Sequence, residues 1–306
     1  MSDIKLFRYG GGKADELKGA SALVEKQIQN LIESQMEVFL GIRFLASEHD
    51  TGKTHKGRID SLGLDENGCP VIIEYKRHIN ENVINQGLFY LDWLLDHQAE
   101  FKLLVMDKFG KDVSDKIEWS GTRLLCIAGD FTKYDEHAVS QIRRNIELIR
   151  YKLFGPDLLL FELVNAVTVP DVTAGIGSDS KPATAKGDKT FAEQLQLSSP
   201  DLVALYEQVS SFMHSLGDDV QEKHLKLYVA FRRLRNFASV ILLPKNDPRI
   251  LIMLRLDPVT VEEKIGLIRD VSNIGHWGSG DVEITIRDAN SFELAKALIE
   301  RSYQEN

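Results

Sequence analysis

The feature that most constrains this chain is a pair of short strand-like segments joined by a tight turn near residue 67. Residues 58–64 (RIDSLGL) and 70–76 (PVIIEYK) flank the turn sequence DENG, which predicts a β-hairpin. The Val-Ile-Ile run in the second segment shows little polar alternation, and such a run is typical of a strand that is covered on both faces. We therefore expect the hairpin to lie inside a layered domain.

Three charged residues lie on this hairpin. Glu74 and Lys76 share one face of the second strand because side chains alternate along a strand. Asp60 lies on the partner strand, where cross-strand neighbours come within about 5 Å of each other. Charges in a covered strand require a partner or a ligand. On an exposed sheet the same residues form ordinary weak ion pairs, and the spacing alone leaves that interpretation open.

Two carboxylates beside one ammonium suit the hydrolysis of phosphodiesters. Mg²⁺ prefers hard oxygen ligands, usually one or two carboxylates with water and substrate phosphate. A metal ion bound there can polarise the phosphoryl oxygen and activate a water molecule. Lys76 can stabilise the anionic transition state or help to orient and deprotonate the attacking water. The hairpin therefore suits a site for Mg²⁺.

Helices on either side of the hairpin offer further site residues. In the helix predicted from Ala20 to about Leu40, Glu25 lies about 60° from the centre of the apolar stripe and can reach a cleft. Glu33 and Glu37 lie farther round the helix and are interpreted as solvated surface. In the helix predicted over 81–97, Gln86 and Tyr90 share one face because they are four residues apart. Tyr90 is equally well explained as a core aromatic residue.

The order of elements predicts an α/β domain with a mixed sheet flanked by helices. This domain is predicted to span residues 1–167. A linker over 168–190, rich in Gly, Ser, Thr and Lys, follows it. Residues 191–306 predict a smaller α+β domain. Its predicted elements are a helix over 200–216, strands over 237–243 and 249–256, a helix near 259–269, a strand over 282–287 and a helix over 290–303. The glycines near residue 11 predict a flexible N-terminal arm.

Composition narrows the class of protein. The net charge of −9 disfavours a protein that coats DNA by charge alone, but an enzyme that gathers carboxylates around a metal can be acidic. No apolar run is long enough for a membrane span, and the N-terminus lacks a secretion signal, which predicts a cytoplasmic protein. Cys69 and Cys126 stand alone in apolar stretches, so neither a disulfide framework nor a Cys-ligated zinc site is expected.

The segment GRIDSLGLDENGCPVIIEYKRHINENVINQGLFYLDWL resembles the core motif of the PD-(D/E)XK nuclease superfamily, most closely its NucS-like endonuclease branch. The resemblance covers roughly residues 20–167 and implies a restriction-endonuclease-like sheet. It also extends to bacterial relatives that pair such a domain with a C-terminal domain of unknown function. In the NucS-like enzymes themselves, the accessory domain precedes the nuclease domain, so the substrate structure is left open. Ile59 replaces the proline of the family name.

This resemblance assigns roles to individual residues. It implies that Asp60, Glu74 and the carbonyl of Tyr75 bind Mg²⁺ or Mn²⁺ and that Glu25 completes the shell. The implied catalytic residues are Asp60, Glu74, Lys76, Glu25 and Gln86, and the implied substrate contacts are Arg58 and Tyr90.

The sequence thus predicts a metal-dependent DNA endonuclease, with a role in repair or defence implied by resemblance alone. The alternative is a catalytically inactive nuclease-fold protein that binds nucleic acid or a protein partner. RNA as the substrate and a homodimer as the assembly remain open. The C-terminal domain is expected to recognise substrate or a partner. Its segment HLKLYVAFRRLRNFAS interleaves arginines with aromatic residues, as nucleic-acid surfaces do, although an amphipathic segment with a solvated basic side is the favoured explanation of that pattern.

Overall fold

The computed structural model describes residues 4–20, 24–52, 56–76, 82–167, 189–275 and 277–306. The chain divides into two compact units, of which the first comprises residues 1–117 and 122–167 and the second comprises 118–121 and 168–306. Each unit is built on its own sheet. The predicted linker over 168–190 lies outside the described residues except for its last two positions.

The first unit is built on a seven-stranded mixed sheet. Its strands are β3 (Gly19–Ala20), β4 (Ile42–Asp50), β5 (Arg58–Asp65), β6 (Pro70–Lys76), β7 (Arg123–Ala128), β8 (Ile146–Phe154) and β9 (Leu158–Val167). The order is β3-β8-β7-β6-β5-β4, with β9 also paired to β8. The β6–β7 and β7–β8 pairs are parallel and the other pairs are antiparallel. A separate hairpin, β1 (Leu6–Gly10) with β2 (Lys13–Leu17), precedes this sheet, so the prediction of a flexible arm is wrong.

Helices cover the central strands of this sheet. They are α1 (Glu25–Ser34), α2 (Met36–Leu40), α3 (Asn82–Asp96), α4 (Gln98–Phe109), α5 (Lys111–Ser114) and α6 (Lys133–Gln141). Helix α1 packs on β5 and β6, and α3 packs on β6 and β7. Six of the seven residues of β6 are buried, as the Val-Ile-Ile run predicts for a strand covered on both faces. None of the helices in the described ranges combines the length and the apolar character needed to cross a membrane.

The single helix predicted from Ala20 to Leu40 is wrong in its extent. Ala20 belongs to β3, and the helix is interrupted at Gln35, whose φ of −139° is not helical. The interruption turns α2 away from the axis of α1, so the predicted apolar stripe does not continue, and Val38 is exposed. The predicted cap at Gly41 is confirmed, because this residue ends α2 with a φ of 64° that glycine adopts without steric cost.

The predicted hairpin is confirmed. Strands β5 and β6 pair from Ser61 opposite Ile73 to Leu64 opposite Pro70. Their turn is closed by the Asp65 N–H, which donates to the Cys69 carbonyl at 2.9 Å. The regular ladder stops at Ser61, one residue before the two strands bring Asp60 and Glu74 opposite each other. The catalytic prediction depends on what replaces the ladder there.

The second unit is a six-stranded antiparallel sheet with helices packed against it. Its strands are β10 (Gln221–His224), β11 (Val229–Arg232), β12 (Asn236–Leu243), β13 (Arg249–Leu254), β14 (Ile268–Asp270) and β15 (Val282–Ile286), in the order β10-β11-β12-β13-β15-β14. Its helices are α7 (Phe191–Gln196), α8 (Pro200–Ser215) and α9 (Ala289–Glu305). The core lies between the helices and one face of the sheet. The predicted fold class, a helix-flanked mixed α/β sheet followed by a smaller α+β domain, is confirmed.

The helix predicted near 259–269 is wrong. A short 3₁₀ helix occupies Pro258–Thr260, and strand β14 begins at Ile268. Val259 and Ile265 are fully exposed, while Val261, Leu267 and Ile268 are partly buried against the core. These buried positions do not recur every three or four residues, as the apolar face of an amphipathic helix requires.

Candidate active site

The site begins where the β5–β6 ladder ends. The Asp60 N–H donates to Glu74 Oε1 at 3.2 Å, and the Tyr75 N–H donates to Asp60 Oδ2 at 3.0 Å. Side-chain oxygens thus take the place of the carbonyls that a continuing ladder would use. Because each carboxylate reaches across to the other strand, Asp60 and Glu74 lie side by side.

Glu74 has the least satisfied charged group in this cluster. It is 0% exposed, and its second oxygen, Oε2, is buried with no hydrogen-bond partner among the residues that the structure describes. Burial raises the pKa of Glu74 to about 9, and the neighbouring charge of Asp60 adds to the effect. Burial also raises the pKa of Asp60, although the Tyr75 N–H opposes this shift.

Lys76 and Glu25 form the second part of the site. Lys76 Nζ donates to Glu25 Oε1 at 2.8 Å, which joins the end of β6 to the start of α1. Burial acts to lower the pKa of Lys76, but the hydrogen bond and charge of Glu25, with the charges of Asp60 and Glu74, outweigh it and raise the pKa. Lys76 is therefore an ammonium group at neutral pH.

The third part lies on α3. Gln86 Nε2 donates to Tyr90 Oη at 3.1 Å, across the one-turn spacing predicted from the sequence. The same Tyr90 oxygen accepts a hydrogen bond from the Arg58 N–H at 3.1 Å. Tyr90 is largely buried, so it fixes the first residue of β5 against α3.

These residues surround an open cleft with a volume of ≈ 940 Å³. Six of the eight residues proposed from the sequence line it, together with Asp50 at the end of β4 and three residues of the β4–β5 connection. The lining residues are Glu25, Asp60, Lys76, Gln86, Tyr90, Arg58, Asp50, Gly52, Lys56 and Gly57. Glu74 and Tyr75 are not among them. Glu74 reaches the site through its contact with Asp60, and Tyr75 has a buried side chain whose hydroxyl bonds with Ser61 Oγ at 3.2 Å.

Sequence reasoning missed two residues of this neighbourhood. Gln29 is buried, and its Nε2 donates to the Asp60 carbonyl at 2.8 Å. Its spacing of four residues from Glu25 on α1 is a signal that could have identified it. Glu48, on β4, pairs with Lys26 at 2.6 Å and with Arg58 at 2.5 Å, and no local pattern in the sequence marks it.

The interpretation of Glu33 as solvated surface is wrong. Its carboxylate accepts hydrogen bonds from Ser61 Oγ at 2.6 Å and from Gln29 Nε2 at 3.0 Å. The interruption at Gln35 shortens α1 and leaves Glu33 near the sheet. Glu37, by contrast, is exposed as expected.

The donor set fits an open magnesium-type site. Within the described ranges, no group of three or more His, Cys, Asp or Glu side chains is arranged to hold a metal ion by itself. Mg²⁺ needs only one or two carboxylates when water and substrate phosphate supply its other ligands. Asp60, with the unpartnered Oε2 of Glu74 beside it, meets that requirement, whereas a closed structural zinc site would require four protein ligands.

Comparisons with known proteins concern the second unit, part of the chain and the chain as a whole. Residues 188–306 match the family model described as a domain of unknown function, DUF5655. An uncharacterized protein of Haemophilus influenzae is 28% identical over 309 residues, which cover 99% of this chain and 100% of that protein. This relative is therefore similar along its whole length.

Two solved structures are also similar to part of this chain. A repair endonuclease from Pyrococcus abyssi is 20% identical, with a TM-score of 0.30, over 44% of this chain and 48% of its own. An EndoMS protein solved in complex with double-stranded DNA is 19% identical, with a TM-score of 0.28, over 42% of this chain and 46% of its own. This chain therefore spans about half the length of each of these structures.

Proposed function

We propose that the cleft is the active site of an endonuclease that hydrolyses DNA phosphodiester bonds with Mg²⁺ or Mn²⁺. The observation that carries this proposal is the buried Glu74 Oε2, which has no protein partner among the described residues and lies beside a second carboxylate. Such a group is costly to keep in a folded protein. A divalent cation would supply the missing partner and favour the ionised form of both carboxylates.

The proposed ligands are Asp60, Glu74 and the Tyr75 carbonyl, with Glu25 reaching the same ion through water. A cation bound there would polarise the phosphoryl oxygen and lower the pKa of a coordinated water. Asp60 and Glu74 hold their orientation through the two strand N–H groups that cross between them. The rest of the chemistry belongs to the surrounding side chains.

Lys76 is proposed to stabilise the charge that develops on the phosphoryl group. Its pKa is raised, so it enters the reaction as an ammonium group and acts electrostatically rather than as a base. Glu25 holds that ammonium at 2.8 Å and so sets its position in the cleft. Gln86, which shares the cleft wall, is proposed to orient the attacking water or the phosphate.

The two units are proposed to have different functions. Residues 1–167 carry the chemistry, residues 168–190 connect the units, and residues 191–306 recognise the substrate or a partner. The cleft is lined by both carboxylates and amines, so it offers ligands for a metal and for a polyanion together. RNA is the competing candidate substrate.

The test uses the full chain with DNA and RNA oligonucleotides in Mg²⁺ or Mn²⁺. We expect the parent to cleave DNA and both Asp60→Ala and Lys76→Ala to be at least about 100-fold slower, which is the usual cost of losing one electrostatic group from an active site. The matched control is Glu37→Ala, because Glu37 is an exposed carboxylate on α2. If both variants cleave as fast as the parent, the assignment is wrong.

Calorimetric titration with Mn²⁺ separates the enzyme from a non-catalytic relative. We expect the parent to bind Mn²⁺ and Asp60→Ala to lose that binding. Binding of DNA without Mn²⁺ uptake and without cleavage would favour the alternative of a nuclease-fold protein that only binds nucleic acid.

A further inference from the structure

The two ends of the connection between β4 and β5 are held together by Thr51. The N–H and the hydroxyl of this buried residue each donate to the Gly57 carbonyl at 3.0 Å, and the hydroxyl accepts from the Gly57 N–H at 2.9 Å. Both polar backbone groups of Gly57 are thereby satisfied by a single side chain and its own backbone. The two ends of the connection are fixed together at the rim of the cleft.

Tyr90 fixes the same point from the other side. A Cβ atom at position 57 would lie 2.4 Å from Tyr90 Cε1, so only glycine allows this approach. The Tyr90 hydroxyl also accepts the Arg58 N–H. Gly57 and the first residue of β5 are therefore held against α3, and the residues on either side of Gly57, Lys56 and Arg58, line the cleft.

Backbone strain is concentrated in this part of the unit. Glu48 has a φ of 52° and Lys56 a φ of 48°, a region that non-glycine residues rarely adopt. They are two of the three such residues in the described ranges, and the third, Asn246, lies in the second unit. Strain of this kind persists where the surrounding structure enforces it, and it is found most often at functional sites.

The described charged side chains around the β4–β5 connection carry one more positive than negative charge, with Lys26, Lys56 and Arg58 against Glu48 and Asp50. The carboxylate of Glu48 pairs with Lys26 at 2.6 Å and with Arg58 at 2.5 Å, so two cations share one anion. Lys56 is exposed and adds another positive charge on the cleft wall. Arg58 lies two residues from Asp60 along β5, which corresponds to about 7 Å of strand.

We propose that Lys56 and Arg58 form a binding site for a backbone phosphate adjacent to the one that is cleaved. This inference rests on the proposed function, in which Asp60 and Glu74 would hold the cation beside the scissile phosphate. A substrate that uses both positions must carry at least two phosphates in one strand. The cleft therefore selects a continuous polynucleotide over a mononucleotide or a phosphate monoester. Thr51 and Tyr90 pre-organise the site, and Glu48 positions the Arg58 guanidinium.

The experiment measures binding apart from cleavage. Fluorescence anisotropy of labelled duplex DNA in EDTA gives Kd over a series of salt concentrations for the parent, Lys56→Gln, Arg58→Gln and the double variant. We expect each single substitution to weaken binding about tenfold at low salt and to reduce the slope of log K against log salt by about one. In Mn²⁺, the loss is expected in KM rather than in kcat. Lys111→Gln, an exposed lysine that does not line the cleft, is the matched control.

A second pair of variants tests the pre-organisation. Thr51→Val removes the hydroxyl that holds Gly57 while keeping every charge, so we expect a higher KM with an unchanged salt slope. Thr51→Ser restores the hydroxyl and is expected to recover most of the affinity. Circular dichroism of both variants checks that the fold is retained.

The outcomes separate this inference from the proposed function. If Lys56→Gln and Arg58→Gln keep the parental Kd and salt slope while Asp60→Ala abolishes cleavage, the phosphate site is wrong and the nuclease assignment stands. If DNA binding depends on Lys56 and Arg58 but no variant or parent cleaves, the phosphate site stands and the nuclease assignment fails. A fall in kcat with unchanged KM would also overturn the phosphate site.

Discussion

The first unit buries charge at both ends of the same strands, and the two ends differ in how that charge is satisfied. At the turn end, Arg123 Nη1 donates to both oxygens of Glu147 at 2.8 Å, and its Nε lies 3.3 Å from Asp65 Oδ2. Asp65 Oδ1 accepts the Asn67 and Cys69 N–H groups at 2.9 Å. All three charged side chains are buried, and each has well-placed partners.

At the other end, Asp60 and Glu74 approach each other while Lys76 is turned to Glu25. One buried carboxylate oxygen has no partner in the described part of the chain. Burial of charge is therefore common to the two ends, and only the absence of a partner distinguishes the proposed site. Buried charges that all have hydrogen-bond or ionic partners therefore indicate a structural role, whereas a buried charged group without a partner indicates the place of a ligand.

The largest effect on stability is expected at the turn end, where Arg123, Asp65 and Glu147 form the buried network. Arg123→Met leaves Asp65 and Glu147 buried without their cation, and loss of one partner from a buried pair typically costs about 3–5 kcal/mol. Urea denaturation followed by circular dichroism measures this as a lower midpoint for the first unit.

The control replaces the whole network. In Arg123→Met combined with Asp65→Asn and Glu147→Gln, no uncompensated charge remains, so we expect much of the lost stability to return. If the single Arg123→Met variant is as stable as the parent, the buried carboxylates at the turn end do not depend on Arg123, and the proposed contrast between the two ends is wrong.

An effect of similar size, spread over several pH units, is expected at the end of the strands that carries Asp60 and Glu74. The pKa of Glu74 rises from its ordinary value of 4.5 to about 9 on folding, so this group favours the folded state only while it is protonated. Without metal, its contribution is fully present below pH 4.5 and is lost as pH rises towards 9. The free energy of unfolding should fall by up to about 1.4 kcal/mol for each pH unit in that window. Urea denaturation in EDTA at pH 5.5, 7 and 8.5 measures the slope.

Glu74→Gln is the matched variant, because its amide has nearly the same shape and does not ionise. We expect it to show a flatter pH dependence and to be at least as stable as the metal-free parent at pH 8.5. Addition of Mn²⁺ should abolish the loss of stability at high pH in the parent and should have no such effect on Glu74→Gln. Parallel profiles for the two proteins in EDTA would contradict the assignment of an unmatched carboxyl group at this position.

The smallest effect is expected on the rim. Lys26 pairs with Glu48 while both side chains remain partly exposed to solvent, and such pairs contribute about 1 kcal/mol or less. Lys26→Gln should therefore shift the urea midpoint only slightly, as should Lys102→Gln at the exposed pair with Asp115. A loss of stability in Lys26→Gln comparable to that of Arg123→Met would show that the Lys26–Glu48 pair is part of the buried charge network.

The hairpin and its charges could be predicted because their signals are local. Alternation along β6 places Glu74 and Lys76 on one face, and the DENG turn brings β5 back beside it. Gly41 was likewise predicted from its position after an apolar helix. Each of these features depends on a few neighbouring residues.

The features that were missed depend on distant parts of the chain. The Lys76–Glu25 contact joins residues on different elements, and Glu48 meets Arg58 only because β4 pairs with β5 in a particular register. The unpartnered oxygen of Glu74 is a property of the packed interior, since it requires knowledge of every group around it. Local pattern also failed at Gln35, where the continuous apolar spacing gave no sign that the helix is interrupted.

The end of the β5–β6 ladder has a further consequence for dynamics. The amide protons of Asp60 and Tyr75 are bonded to oxygens of the two carboxylates that are proposed to hold a cation, so cation binding and closure of the strand ends act on the same side chains. The affinity for metal and the local opening of the hairpin are then thermodynamically linked. Amide hydrogen exchange at these two positions would report occupancy of the site without any substrate.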